Sequence, residues 1–256
     1  MKTKLIILGP GSSLGVPRID GHWGRCKKNN KKNIRTRCSS IIIKGSNSIL
    51  IDTSPDIRKQ LLDNKIKNIS SVVLTHEHAD QTNGLFELRP FFWKNKKKID
   101  LYGNKKTIST LKNAHNYLFY GSKDYPSILK SCFVKPNFSL GKHKEKVFFK
   151  TAKVTQGKIH STAYIFEKVA YISDCNDLSI VKMKQFKKLN TLIIDCLKYD
   201  KHPSHYNLDE VLHIHEILKP KKTILTNLFY DVDYDILLKK LPSNVKPAYD
   251  GMKIYL

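Results

Sequence analysis

The stretch SVVLTHEHADQTNG, Ser71 to Gly84, constrains this chain more than any other. Val72, Val73 and Leu74 form an apolar, mostly β-branched run that reads as a buried strand. The strand delivers Thr75-His76-Glu77-His78-Ala79-Asp80-Gln81, and Asn83-Gly84 marks a turn before helical sequence. Two imidazoles and a carboxylate within five residues, at the end of a buried strand, can be aimed at one point. That donor mixture suits zinc, iron or manganese. A polar loop whose histidines merely face water is the plainer alternative. The H-x-H-x-D spacing directly after a buried strand favours a metal site over it.

At 256 residues and 40% hydrophobic content, the chain can bury one large core, and residues 1–256 read as a single domain. No run approaches the roughly 18 apolar residues of a membrane helix. The N-terminal apolar stretch, Leu5 to Leu8, is too short for a signal peptide, so the expected compartment is the cytoplasm, with no membrane partner. Five cysteines without a CxxC pair read as reduced thiols rather than a disulfide framework. Cys26 and Cys38 lack the close thiolate companions of a structural zinc site. The formal charge of +24 has the look of a nucleic-acid binder. Its excess is mostly lysine spread along the whole chain, which reads as a solvated surface, so nucleic acid is not the expected partner. A few of those lysines suffice for an anionic substrate. A homodimer is compatible with this composition.

In chain order, Lys4 to Leu8 is a strand running into Gly9-Pro10-Gly11-Ser12-Ser13-Leu14-Gly15-Val16-Pro17-Arg18. Free backbone N–H groups in such a loop suit phosphate, with Ser12, Ser13 and Arg18 as substrate-binding candidates. Ile19 to Arg37 is irregular and basic and is expected to lie over the site mouth. Ser39–Ile43 and Ser48–Ile51 form a hairpin, closed by Asp52. Pro55–Asn64, Lys106–Tyr120, Leu178–Leu189, Asn207–Leu218 and Tyr234–Leu241 read as helices. Asn207 and Glu210 have the spacing of a capping box. Asp174 ends the strand of YISDCND, as a metal-bridging carboxylate or as a cap for the helix near Leu178. Strands come in meanders with helices between and after them, without strict βαβ alternation.

THEHADQTNGLFELR resembles the HxHxDH signature of the metallo-β-lactamase-fold hydrolases. Within them it is most similar to the phosphoribosyl cyclic phosphodiesterase branch, whose signature is followed by a GLxxLR-like stretch. GPGSSLGVPR is similar to that family's GTGxxxGVP loop, YISD to its SD motif, and PSHYNL to its NHxDL-like segment. The resemblance implies an α/β (α+β) fold, an αββα sandwich of two mixed sheets flanked by helices. It implies metal ligation by His76, His78, Asp80 and Asp174, bracing by Asp52, proton donation by His205 and a catalytic role for Asp80. Three positions depart: Gln81, Gln156 and Asn227 stand where the family has histidine. An amide oxygen is a neutral, hard ligand, poor for zinc but acceptable to manganese, magnesium or calcium. The expected cofactor is therefore zinc or manganese, one or two ions, with weakened binding. His160, near Gln156, is either a partial substitute or a solvent-facing strand residue. The implied function is a metal-dependent phosphodiesterase acting on a small cyclic phosphate or nucleotide-like ester. The alternative is a catalytically degenerate relative that keeps a phosphate-binding pocket. An RNA-processing nuclease ranks last, since only the charge favours it.

Overall fold

A computed structural model describes residues 2–256 and contains two seven-stranded sheets packed face to face. In the first sheet, β1 (Lys4–Gly9) lies between β14 (Met252–Tyr255) and β2 (Ser39–Lys44). Next come β3 (Asn47–Ile51), β4 (Ser71–Val73), β5 (Ile99–Gly103) and β6 (Leu129–Phe133). The second sheet runs from β7 (Asn137–Leu140) through β8 (Val147–Gln156), β9 (Ile159–Phe166) and β10 (Val169–Ile172). It ends with β11 (Thr191–Asp195), β12 (Lys222–Thr226) and β13 (Val245–Pro247). Strands β3 to β6 are parallel, as are β10 to β13, and the remaining pairs are antiparallel.

Each sheet is covered on both faces, which explains why the central strands are apolar throughout rather than alternating. In β1, Leu5 and Ile7 point into the core between the sheets, while Ile6 and Leu8 point outward. The outward set packs on α1 (Ile57–Asp63), α4 (Lys105–Ala114) and α5 (Asn116–Tyr120) through Leu61, Leu111 and Leu118. On the second sheet, Ile172, Leu192 and Leu225 meet α6 (Leu208–Leu218) and α7 (Tyr234–Lys240) through Val211, Ile214 and Leu237. The result is the expected αββα sandwich. No described helix is long and apolar enough to cross a membrane.

Local expectations fail in three places. The helix expected over Leu178–Leu189 is two 3-10 turns, Leu178–Lys182 and Lys184–Phe186. Its buried apolar residues are Ile180, Phe186 and Leu189, a spacing that keeps no continuous helical face, and Leu178 is exposed. The helix expected over Lys106–Tyr120 breaks at His115, whose backbone leaves helical geometry between α4 and α5. In the aromatic-rich stretch Leu85 to Trp93, which reads from sequence as interrupted by Pro90, the proline instead sits in the first turn of α3 (Arg89–Asn95), where its missing N–H costs nothing. The capping box of Asn207 and Glu210 forms at the start of α6.

Gly84 couples the fold to the site. Its N–H donates to the Thr53 carbonyl at 2.9 Å, and Thr53 N–H donates to the Gln81 carbonyl at 2.7 Å. A Cβ at Gly84 would lie 2.2 Å from the Ser54 carbonyl and 2.6 Å from Ile57 Cγ2. Gly84→Ala is therefore expected to cost about 1–3 kcal/mol through backbone displacement. The urea midpoint reads this directly, and an unchanged midpoint would mean that the contact opens freely.

Candidate functional site

The polar residues of interest gather where parallel strands end, in both sheets. Asp52 follows β3, Thr75 and His76 follow β4, Asp174 follows β10, Asp195 closes β11 and Asn227 follows β12. The carboxyl ends of parallel strands leave backbone and side chains free to face a crevice, so the topology itself selects this edge.

Asp52 is wholly buried and holds Thr75: the Thr75 N–H donates to Oδ1 at 2.8 Å and its hydroxyl to Oδ2 at 2.9 Å. Burial pushes the Asp52 carboxyl up to about 8, with the two Thr75 bonds opposing it. Because the Thr75 hydroxyl gives its proton to Asp52, it can only accept from His76 Nδ1, 3.0 Å away. His76 Nε2 is left as a bare lone pair, buried and without a partner. Burial, with His78 and His205 nearby, lowers the His76 pKa to about 3. His78 is exposed, and its ring meets that of His76 edge-on at 4.5 Å.

Asp174 is buried and surrounded by amides. Gln81 Nε2 donates to its Oδ2 at 3.0 Å, while Gln156 Nε2 and Asn227 Nδ2 donate to Oδ1 at 3.1 and 3.3 Å. Burial, with Asp195 and Asp80 close by, pushes the Asp174 pKa well up, and His205 works against that. Asp195, at the end of the buried run Leu192-Ile193-Ile194, accepts from His205 Nδ1 at 2.7 Å and from the Cys175 N–H at 3.0 Å. Burial lowers the His205 pKa, but the adjacent Asp195 carboxylate overcomes this and lifts it to about 9. Asp195 is itself pushed up by burial and pulled back by His205. Given the 2.7 Å contact, we place the proton on His205.

A cleft of about 330 Å³ opens above these groups. Ser12 and Ser13, His78 and Asp80, and His202, Ser204 and His205 line it, with Phe229 as an apolar wall. Two expectations do not hold here, and for His160 the solvent-facing alternative does. Arg18 pairs with Asp20 and lies over the Tyr230 ring, and it does not line the cleft. His160 is exposed in a separate groove beside Lys106, away from Gln156's partners. The loop 19–37 packs on residues 229–233 rather than over the mouth. There the buried Arg35 guanidinium donates to the carbonyls of Phe229 at 3.1 Å and Val232 at 2.7 Å. Asp195, Ser204, Phe229 and Arg35 carry no assignment from the sequence, and His202, which reads there as a solvent-facing loop histidine, lines the cleft. Only Asp195 carried a signal, as a third aspartate closing a buried strand.

The metal that the fold implies can be tested on the donors present. Among the described residues, no group of three or more His, Cys, Asp or Glu side chains comes together to hold a metal ion. His76 offers one buried lone pair, and both Asp174 oxygens already accept from side-chain amides. The expected convergence of His76, His78, Asp80 and Asp174, supplemented by Gln81, Gln156 and Asn227, is thus corrected. The amides turn N–H, not oxygen, toward the carboxylate, and the set does not fit a divalent ion.

The His205–Asp195 contact sets a pH dependence. Its folded pKa lies above the unfolded 6.5, so its stabilisation is complete below about pH 6.5 and is lost as pH rises through about 9. Thermal midpoints from pH 6 to 10 should fall over that window in the wild type and flatten in His205→Gln. Parallel curves would place the titration elsewhere.

A two-sheet αββα sandwich with a crevice at its strand ends defines a class, and the family model agrees. The chain belongs to the β-lactamase superfamily, whose domain matches residues 47–226. It is similar to a solved diphosphatase of the PhnP family at 30% identity, with a TM-score of 0.88, covering 100% of this chain and 98% of that one. It is 29% identical to a Porphyromonas gingivalis protein named octanoyltransferase, over 98% of this chain, and spans about half (51%) of that relative's length. Zinc-bound PqqB of Methylobacterium extorquens has the same fold at 15% identity, with a TM-score of 0.79, covering 99% of this chain and 100% of that one.

Proposed function

We propose that the cleft takes a small phosphate ester, a phosphodiester or a diphosphate, and that His205 protonates its leaving group. The observation that carries this is the 2.7 Å contact of His205 Nδ1 with buried Asp195 beside the cleft. The carboxylate favours the imidazolium form and engages Nδ1, so that Nε2 serves the ligand. Hydroxyls of Ser12, Ser13 and Ser204 and the His202 ring line the same cleft and suit phosphoryl oxygens. In the hydrolytic step, water forms the new P–O bond and gives its proton to Asp80. The old P–O bond breaks, and the leaving oxygen takes the proton of His205. The similar PhnP-family diphosphatase supports a phosphoric ester as the substrate.

A second reading, binding without turnover, is favoured by the three amides around Asp174. The acyl-transfer name of the half-matching relative finds no support in this cleft. No cysteine lines it, and burial pushes the Cys175 thiol up to about 12.

The test is an assay of bis-p-nitrophenyl phosphate, cyclic nucleotides and nucleoside diphosphates, with thermal shifts measured alongside. Turnover that is lost in His205→Asn supports hydrolysis. Stabilisation by a phosphate ester without turnover supports the binding reading. The absence of both turnover and stabilisation would overturn the phosphate-ester assignment.

A further inference from the structure

Asp174 follows β10 of the second sheet and is 2% exposed. Three amides from separate elements meet it: Gln81 on α2 (Ala79–Thr82), Gln156 at the end of β8, and Asn227 after β12. Oδ2 accepts from Gln81, and Oδ1 accepts from both Gln156 and Asn227. Asn227 Nδ2 also lies 3.2 Å from Asp195 Oδ1, so one amide serves two buried carboxylates. Among charged side chains, His205 approaches Asp174 Oδ1 at 3.8 Å.

We infer that these amides stand in for a cation: the cleft of this chain assembles and keeps its shape without a divalent ion. A buried carboxylate is tolerable only if its lone pairs are compensated. A metal and a set of N–H donors are two ways of compensating them, and they exclude each other at the same oxygens. The substitution is concerted. Gln81 alone would leave Oδ1 bare of amides, and Gln156 with Asn227 alone would leave Oδ2 bare. All three reach the same carboxylate, which scattered surface replacements would not do. Orienting the N–H groups inward leaves Gln81 Oε1, Gln156 Oε1 and Asn227 Oδ1 buried without partners. The opposite orientation would aim three oxygens at a carboxylate, and only a cation between them could hold that arrangement. The two states therefore differ in one measurable thing, a bound ion.

The experiment uses the full chain purified without chelator and then dialysed against zinc or manganese. Elemental analysis and thermal midpoints are recorded with and without EDTA. The expected result is metal far below one ion per chain and an unchanged midpoint. A full ion per chain, with a midpoint that falls on chelation, would overturn the inference and assign the flipped amides. The triple variant Gln81→His, Gln156→His, Asn227→His supplies the contrast. It is expected to bind zinc stoichiometrically and to gain a metal-dependent midpoint. If it does not fold, the wild-type chelation result still decides. Asp174→Asn gives a further readout: a lowered midpoint in metal-free buffer supports the cage, and an unchanged one argues that the amides are idle.

Discussion

His205→Ala is expected to lower turnover of phosphate esters with alkoxide leaving groups by about 10²–10⁴-fold, the usual contribution of a positioned proton donor. p-Nitrophenyl esters, whose leaving group departs without a proton, should lose far less. The difference follows from the ring's position, with Nδ1 held by Asp195 and Nε2 3.5 Å from Gln156 Nε2 at the edge of the cleft. Asp195→Asn tests the positioning half of the pair. It should keep the ring in place but shift the pH profile of turnover downward, because the neutral amide no longer favours the imidazolium. Equal losses on both ester types would make His205 a binding residue rather than an acid.

The second large effect is structural. Arg35 is 1% exposed and makes no ion pair among the described residues, so its guanidinium is spent on carbonyls. It also lies 3.3 Å from Asn33 Oδ1, which accepts the Tyr234 N–H at 2.8 Å. Arg35→Met would leave the Phe229 carbonyl with only the Val232 N–H and the Val232 carbonyl with only the Cys26 thiol as donors, at a cost of about 1–3 kcal/mol. Because Phe229 lines the cleft, ligand affinity should fall together with stability. Arg35→Lys keeps the charge but lacks the fork that spans two carbonyls, and it should recover only part of the loss. A denaturation midpoint unchanged in Arg35→Met would mean that water replaces the guanidinium there.

The fold was legible because its signals are local and repeated. LIIL, SIIIK and LIID are apolar on both sides, which only doubly covered sheets require. Asp52 and Asp174 could be singled out because each closes such a run. Asp195 closes one too, but its meaning depends on His205, which arrives after a loop that nothing in the sequence folds back. Arg35 was hidden for a related reason. In a basic, irregular stretch, a buried guanidinium looks like any other lysine or arginine until its carbonyl partners, nearly two hundred residues away, are in place. The amides at 81, 156 and 227 were visible as departures from histidine. Which end of each faces Asp174 is a matter of hydrogen bonding across both sheets, and composition carries no trace of it.

Asn227 holds its backbone at φ 61°, a left-handed conformation that side chains other than those of Gly, Asn, Asp and His seldom adopt. Mutational drift at this position therefore has few comfortable destinations, whatever the cleft is selected to do. Asparagine and histidine are both among them, so an exchange between the two leaves the main chain undisturbed and changes only what the side chain presents. An exchange of imidazole and amide here carries no backbone penalty, and its cost lies only in what then faces Asp174 and Asp195. The turn after β12 is a hereditary hinge between two chemistries, kept open by a single dihedral angle.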